Sequence, residues 1–168
     1  TLFLSREGYF KKITPQSLRM SSEQKYKDGD GPAQSLEASS SQELIFFTDR
    51  QQAYKCRVSD FEDMKASVLG QYIPQILGMD EGEKPVYMLL PGPEYSGSLL
   101  FFFTNGKAAR VPVSAYATKQ NRKKLTKAYS DKSPLAAVRF LGEDTQLVAL
   151  STEGRALIFN TEIGRAHV

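Results

Sequence analysis

The sequence predicts an all-β fold, a propeller-like array built from small repeated units. Short apolar or alternating runs of strand length dominate the chain, and turns that mostly contain glycine join these runs into hairpins. The units begin about 40 to 55 residues apart, a spacing typical of propeller blades and related arrays. One small sheet cannot bury both of its faces, so each unit needs a neighbour. We therefore expect four-stranded blades in an incomplete array of about three blades and part of a fourth.

The first unit, residues 1–19, is predicted to be a hairpin that turns at Glu7-Gly8 and ends at Pro15. Glycine suits the turn because it reaches positive φ without steric cost. The polar stretch at residues 17–41 predicts a connecting loop with one short strand at 33–36.

The second unit, residues 43–61, has Gln51 where the turns of the first and third units have glycine, which leaves its turn geometry open. Its return strand has one apolar and one cationic face, because apolar and basic side chains alternate along Tyr54-Lys55-Cys56-Arg57-Val58. A helical turn is expected within residues 60–67 and a connecting loop over 68–79.

The third unit, residues 86–116, has a strand at 86–90 and then the strongest hairpin signal in the chain. A Phe-rich strand from Leu99 turns at Asn105-Gly106 and returns with basic residues. The densest basic run in the chain follows at residues 119–127.

The fourth unit, residues 135–162, is expected to have a strand at 135–140 and a hairpin that turns at Glu153-Gly154. Residues 163–168 resemble the translation of a sequencing adapter and are expected to be a non-native tail, which would include the only histidine, His167. Both ends of the chain are expected to be cut from a longer protein. The domain proper is therefore placed at residues 1–162.

Composition restricts the possible classes of protein. The 168 residues include 22 Lys and Arg and 19 Asp and Glu, a net charge of only +3, so anion binding would require clustered charge. The single cysteine, Cys56, rules out an internal disulfide and is compatible with a reducing compartment. The apolar run from Leu99 to Phe103 is too short to span a bilayer. We expect no membrane association and a cytoplasmic location.

The sequence contains no phosphate-binding loop, no dinucleotide fingerprint and no cluster with metal-ligand spacing. Paired carboxylates at Glu62-Asp63, Asp80-Glu81 and Glu143-Asp144 lie in polar turns and are expected to be solvated. We therefore predict no catalytic residue, no metal site and no cofactor in this segment.

Basic residues recur on the return strands of successive units. Such residues could form a belt that neutralises DNA phosphates without reading bases, or they could simply keep outward strand positions soluble; composition leaves both interpretations open. Cys56 and the phenylalanines of the apolar runs are expected in the core. The candidate DNA-binding residues are Lys11, Lys12, Lys55, Arg57, Lys107 and Arg110, with Lys119, Arg122, Lys123 and Lys124 extending the track.

Three of the hairpins resemble blades of one known family. Leu4 to Pro15, Phe46 to Val58 and Phe102 to Pro112 each have an apolar strand, Ser or Thr, a turn, and then Lys or Arg before the strand ends. This pattern is similar to the C-terminal domain of the A subunits of bacterial type IIA DNA topoisomerases, DNA gyrase and topoisomerase IV. The resemblance covers residues 1–162.

The resemblance implies a β-pinwheel, in which neighbouring blades exchange a strand and the rim binds and bends duplex DNA. It implies a parent enzyme that passes one duplex through another with ATP and Mg on other domains. The expected partners are duplex DNA, the upstream breakage-reunion domain and an ATPase B subunit, in the nucleoid. The breakage tyrosine follows an arginine in the family, and no Arg-Tyr pair occurs here.

One loop departs from the gyrase pattern. Where gyrase carries a basic, glycine-rich box, Gln24 to Gly31 keeps two lysines and adds two aspartates. This difference argues against gyrase-like DNA wrapping and favours a subunit that is similar to that of topoisomerase IV or is specialised as neither. The first hypothesis is thus a non-catalytic DNA-binding and DNA-bending domain, and the alternative is a protein-interaction propeller with a solubilising basic rim.

Overall fold

A computed structural model describes residues 1–119 and 122–142 in full, and the backbone of three further strands within 146–167. Short antiparallel strands dominate these residues, as predicted. The strands are β1 Leu2–Ser5, β2 Tyr9–Lys12, β3 Pro32–Leu36, β4 Glu43–Thr48, β5 Ala53–Arg57, β6 Gln71–Tyr72, β7 Pro85–Leu89, β8 Ser98–Phe103, β9 Lys107–Pro112, β10 Lys124–Leu125, β11 Leu135–Leu141, β12 Gln146–Leu150, β13 Ala156–Asn160 and β14 Arg165–His167.

Three four-stranded sheets repeat one topology. Their strand orders are β3-β1-β2-β6, β7-β4-β5-β10 and β11-β8-β9-β14, and β12 pairs with β13 in a two-stranded sheet. In each four-stranded sheet a hairpin lies at the centre, and one side strand, β3, β7 or β11, comes from the segment between that hairpin and the next one in the chain. The fourth strand comes from beyond the next hairpin. Neighbouring units therefore exchange a strand, which is the pinwheel arrangement.

The central hairpins turn through residues with positive φ. Gly8 has a φ of +101° and Gly106 a φ of +82°, while Gln51 adopts +57° without being a glycine. The Gln51 carbonyl accepts a hydrogen bond from the Ala128 backbone at 2.9 Å, which holds this turn against a later segment. Tertiary contact therefore stabilises a turn whose geometry the sequence left open.

The sheets pack through two buried clusters, one on each side of the second sheet. Phe46 joins Phe10 and Ile73 in the cluster between the first and second sheets. The next residue along β4, Phe47, joins Phe101 in the cluster between the second and third. Successive side chains of a strand point to opposite faces, so β4 serves both clusters. The predicted core positions Phe46, Phe47, Phe101 and Phe103 are buried, whereas Phe102 and Cys56, also predicted in the core, are half-buried.

Several connecting segments contain structure that the sequence analysis assigned to loops. Helix α1, Pro15–Met20, begins with Thr14 as its N-cap and proline in its first turn. The predicted loop at residues 68–79 contains β6 and helix α2, Ile73–Ile76. The helical turn expected at 60–67 lies earlier, as the 3-10 turn Val58–Asp60. The short strand expected at 33–36 is confirmed as β3.

Part of the fourth unit lies outside the described residues, including its predicted turn at Glu153-Gly154 and the pair Glu143-Asp144. Strand β14, within the predicted tail, pairs antiparallel with β9. In the part of the chain that the structure describes, no helix is long and apolar enough to cross a membrane.

Candidate nucleic-acid interface

An open groove of about 770 Å³ runs beside β5 and collects half of the predicted DNA-binding residues. Two carboxylates, Glu43 and Asp60, also line it, so positive charge is in excess. We call this surface the basic groove. Its five cationic side chains are those of Lys55, Arg57, Lys119, Lys123 and Lys124.

Strand exchange assembles the basic groove. Lys55 and Arg57 project from one face of β5, as the alternation predicted. The exchanged strand β10 then pairs with β5, with Lys124 opposite Tyr54, and the Lys55 backbone N–H donates to the Lys123 carbonyl at 2.7 Å. A basic run about 65 residues away in sequence is thereby placed against the cationic face of β5.

Lys55 lies in the wall of the groove. Its Nζ donates to Thr118 Oγ1 at 3.3 Å and lies 5.2 Å from the centre of the Tyr95 ring. Burial lowers the pKa of the Lys55 ammonium, and the nearby Glu43 carboxylate opposes that shift. The Tyr95 hydroxyl donates to Glu43 at 2.6 Å. Lys55 thus supplies positive potential from a position fixed by its neighbours.

The other groove cations are more exposed. Arg57 donates through Nη1 to the Ser41 carbonyl at 3.0 Å and remains exposed. Lys124 Nζ lies 3.6 Å from Asp80 Oδ1, and its side chain is 42% exposed. A hydrogen bond from Gln52 and the charge of Lys124 lower the pKa of Asp80.

The segment that precedes β10 carries the most accessible charges. Lys119, Arg122 and Lys123 are all exposed, and Arg122 lies next to the groove-lining Lys123 in the chain. Long cationic side chains on an exposed connection can reach anions at low conformational cost to the fold.

Lys11 does not face outward, and that part of the sequence prediction is wrong. Its side chain is buried, with 3% of the residue exposed, and Nζ donates to the carbonyls of Lys25 at 3.1 Å and Ala66 at 3.0 Å. The Tyr26 ring lies 5.5 Å away, and burial lowers the pKa of the ammonium. Polar groups of two later segments draw this lysine inward, which alternation along one strand cannot reveal.

Lys12 is also used within the fold. Its Nζ donates to the Val58 carbonyl at 3.2 Å and lies 3.7 Å from Asp63 Oδ1. Only 13% of the Lys12 side chain is exposed, against 64% for Asp63. A phosphate approaching Lys12 would therefore meet the carboxylate first.

The third sheet places its two predicted cations apart from the basic groove. Lys107 is exposed and lines a smaller cavity of about 110 Å³ together with Lys132. Arg110 donates through Nε to Ser98 Oγ at 3.1 Å, across the β8–β9 hairpin. The ten predicted residues therefore form one cluster and several separate positions, and not a discontinuous belt with equivalent cations on each unit.

One buried carboxylate, that of Glu83, was not predicted from the sequence. It is 1% exposed and accepts hydrogen bonds from Thr48, from Gln52 at 2.8 Å and from Tyr54 at 2.8 Å. The Asp80 backbone donates to it at 2.9 Å. These donors fasten the turn of the second hairpin to the loop before β7, so the network is structural. The only sequence feature that points to this network is Thr48, which is followed by the polar turn at residues 49–52.

Among the residues that the structure describes, no group of three or more His, Cys, Asp or Glu side chains is placed to hold a metal ion. The Cys56 thiol is half-buried, and burial raises its pKa to about 12, so it is protonated at neutral pH. The pairs Glu62-Asp63 and Asp80-Glu81 are exposed, as expected.

Solved structures share this fold. The C-terminal domain of DNA topoisomerase IV matches 95% of the chain with a TM-score of 0.77 and 23% identity, and the match spans 50% of that domain. The E. coli ParC C-terminal domain matches 94% of the chain, and 63% of its own length, with a TM-score of 0.63 and 17% identity. The DNA gyrase A C-terminal domain gives a TM-score of 0.58. The chain thus has the β-pinwheel fold found in the C-terminal domains of gyrase A and ParC, as the resemblance predicted.

The sequence comparison is more specific. The chain is similar to the A subunit of DNA topoisomerase 4 from Bacillus subtilis, with 26% identity over 160 residues that make up 93% of the chain and 18% of that protein. The Staphylococcus aureus counterpart is 24% identical over 165 residues, which are 95% of the chain and 20% of that protein. The chain spans about a fifth of these relatives. No protein-family model matches it.

Proposed function

We propose that this chain is a non-catalytic DNA-binding and DNA-bending domain from the A subunit of a type IIA topoisomerase, and that it contacts duplex DNA through backbone phosphates. The observation that carries the proposal is the basic groove, where cations from β5, β10 and the segment before β10 converge. The similarity to the A subunit of topoisomerase IV supports the parent activity, that of an ATP-dependent topoisomerase.

Phosphate contact suits the chemistry of this groove. Lysine and arginine bind phosphate oxygens through charge-assisted hydrogen bonds, and the released counterions favour binding without selecting a sequence. The groove is open, and its cations lie on strands and on a connecting segment instead of on a helix that could enter the major groove. Binding should therefore depend strongly on salt and weakly on base sequence.

The proposed parent supplies what this chain lacks. DNA cleavage would belong to an upstream breakage-reunion domain, and ATP with Mg would bind other domains, including a B subunit. Within that assembly the pinwheel would hold the duplex at a distance from the cleavage site. The DNA would bend because the duplex is bound both at the pinwheel and at the cleavage site.

The proposal is tested by duplex binding measured by fluorescence anisotropy at several salt concentrations. Lys119→Gln with Lys123→Gln should weaken binding about tenfold or more in 0.1 M salt. The slope of log K against log salt concentration should become shallower by about 2, because two phosphate contacts are lost. The control is Arg19→Gln with Lys25→Gln, which removes the same charge from exposed positions outside the groove. This control pair should change binding less than threefold.

Two outcomes would contradict the proposal. Absence of duplex binding by the wild-type chain at low salt would favour the alternative, a protein-interaction propeller with a solubilising rim. Equal loss of affinity in both variant pairs would show that net charge, and not the basic groove, determines binding.

A further inference from the structure

We infer that DNA is held on one sector of the pinwheel rim, at the basic groove, and that the neighbouring sector on the first sheet repels it. This inference rests on the proposed function and specifies where on the rim the duplex lies. It replaces the discontinuous belt of phosphate contacts around the array with a single site bordered by negative charge.

Two equivalent connections define the sectors. Each leaves the return strand of a hairpin, passes through a 3-10 turn and delivers the fourth strand to the preceding sheet. The first crossover, residues 58–70, delivers β6, and the second crossover, residues 113–123, delivers β10. The exchanged strands occupy matching registers, with Gln71 opposite Phe10 and Lys124 opposite Tyr54.

These two crossovers carry opposite charge. The first contains Asp60, Glu62 and Asp63 against the single cation Lys65. The second contains Lys119, Arg122 and Lys123 and no carboxylate. All seven of these side chains are exposed. Equivalent positions on two successive sheets therefore present an anionic surface and a cationic one.

Two lysines of the first hairpin that could offset this charge are used internally. The register of the exchanged strands makes Lys11 the counterpart of Lys55, and the Lys11 ammonium is buried against the carbonyls of Lys25 and Ala66. Lys12 lies between the Val58 carbonyl and the Asp63 carboxylate. Neither ammonium is presented outward, so the exposed side chains of the first crossover itself keep an excess of negative charge.

The basic groove ends where the first crossover begins. Asp60, in the 3-10 turn of that crossover, lines the groove and accepts a hydrogen bond from the Arg57 backbone at 2.9 Å. Phosphates that follow the groove past Arg57 would approach Asp60 and then Glu62 and Asp63. Repulsion between like charges at short range then directs the duplex away from the first sheet.

Duplex length provides a test that needs no variant. A duplex of about 12 base pairs, some 40 Å long, is enough to cover one groove. We expect wild-type chain to bind it within about twofold of its affinity for a duplex of about 36 base pairs, after correction for the number of sites. If the corrected affinity for the longer duplex is more than about tenfold higher, the duplex contacts a continuous belt and the inference is overturned.

Matched single substitutions provide the second test. Lys119→Gln is expected to weaken duplex binding about fivefold or more, and Lys12→Gln to change it less than twofold. Thermal unfolding of each variant establishes that the fold is retained. If both substitutions weaken binding equally, the inference that DNA is held on one sector is wrong, although the chain still binds DNA. If the wild-type chain does not bind the duplex, the proposed function itself is wrong.

Neutralising carboxylates of the first crossover should strengthen duplex binding instead of weakening it. Glu62→Gln with Asp63→Asn should strengthen binding of the longer duplex at least threefold more than the control pair Glu23→Gln with Glu37→Gln. The control pair removes the same charge from exposed positions of the polar stretch at residues 17–41. An equal gain for both pairs would mean that the first crossover does not face the DNA.

Discussion

At the scale of single residues, Gln51 shows how the fold overrides a local preference. The backbone at this position has a φ of +57°, in the region where side chains cost free energy and glycine does not. Its carbonyl is held by the Ala128 backbone N–H at 2.9 Å. The hydrogen bond offsets part of the strain, so a β-hairpin forms without the glycine found in the neighbouring units.

Gln51→Gly should therefore stabilise the chain by about 0.5–1 kcal/mol. Relief of the left-handed strain exceeds the extra entropy that glycine gives the unfolded chain. Chemical denaturation at a fixed temperature measures the difference. The control, Gln51→Ala, keeps the strain and should give no gain; a stabilisation by alanine equal to that by glycine would contradict this explanation.

At the scale of secondary-structure elements, the lysines of β2 hold the strand exchange together. Lys11 bonds the Ala66 carbonyl of the first crossover, and Lys12 bonds the Val58 carbonyl at its start. The Lys12 carbonyl in turn accepts from the Met64 backbone at 2.7 Å. These contacts fix the segment that carries β6 into the first sheet, which is a structural use of residues that resembled DNA ligands in sequence.

Lys11→Met should destabilise the chain by about 1–3 kcal/mol, because the carbonyls of Lys25 and Ala66 lose the charged donor, although the Ala66 carbonyl keeps the Lys25 backbone N–H and the methionine keeps the packing of the stem. Hydrogen exchange should show the loss most strongly at β6. Lys25→Met is the control, since only the backbone of Lys25 contacts Lys11.

The pH dependence has a definite sign. Burial lowers the pKa of Lys11 in the folded state. As the pH rises toward the ordinary lysine pKa, the unfolded state therefore binds more protons than the folded state, and the free energy of unfolding increases. The wild-type chain should gain stability over the methionine variant in that range. A difference that shrinks with rising pH would contradict the burial of the charged amine.

At the scale of the whole molecule, the sheets depend on one another through β4. Phe46 packs 5.6 Å from Phe10, between ring centres, in one cluster, and Phe47 packs 6.0 Å from Phe101 in the other. Strand exchange adds a second link, because each sheet takes its fourth strand from the next unit. Neither sheet should unfold without affecting its neighbour.

Phe46→Ala is expected to cost about 3–5 kcal/mol, the usual cost of a large core cavity. If the sheets unfold together, amide exchange protection should fall by a similar amount in β1, whose cluster loses the ring, and in β8, which lies in the other cluster. Native-state hydrogen exchange measures both strands in one experiment. Loss of protection in β1 with β8 unchanged would show that the sheets unfold separately.

Much of the architecture could be predicted from local sequence. Turn residues and strand-length apolar runs indicated three central hairpins, and the spacing of the units indicated an array. The burial of Phe46, Phe47 and Phe101 followed from their place in apolar runs. Short elements such as α2 and β6 were missed because four-residue and two-residue segments have too few positions for a period to show.

The sequence by itself determined that the chain forms an array of repeated β-hairpins, because turns and alternation are local properties of the backbone, and it showed which residues carry charge. The tertiary structure decided which charges are presented together. Strand exchange brought Lys119, Lys123 and Lys124 to β5, whereas buried carbonyls drew Lys11 inward and Asp63 covered Lys12. These outcomes depend on contacts between segments far apart in the chain, where no local pattern records which partner each lysine will meet.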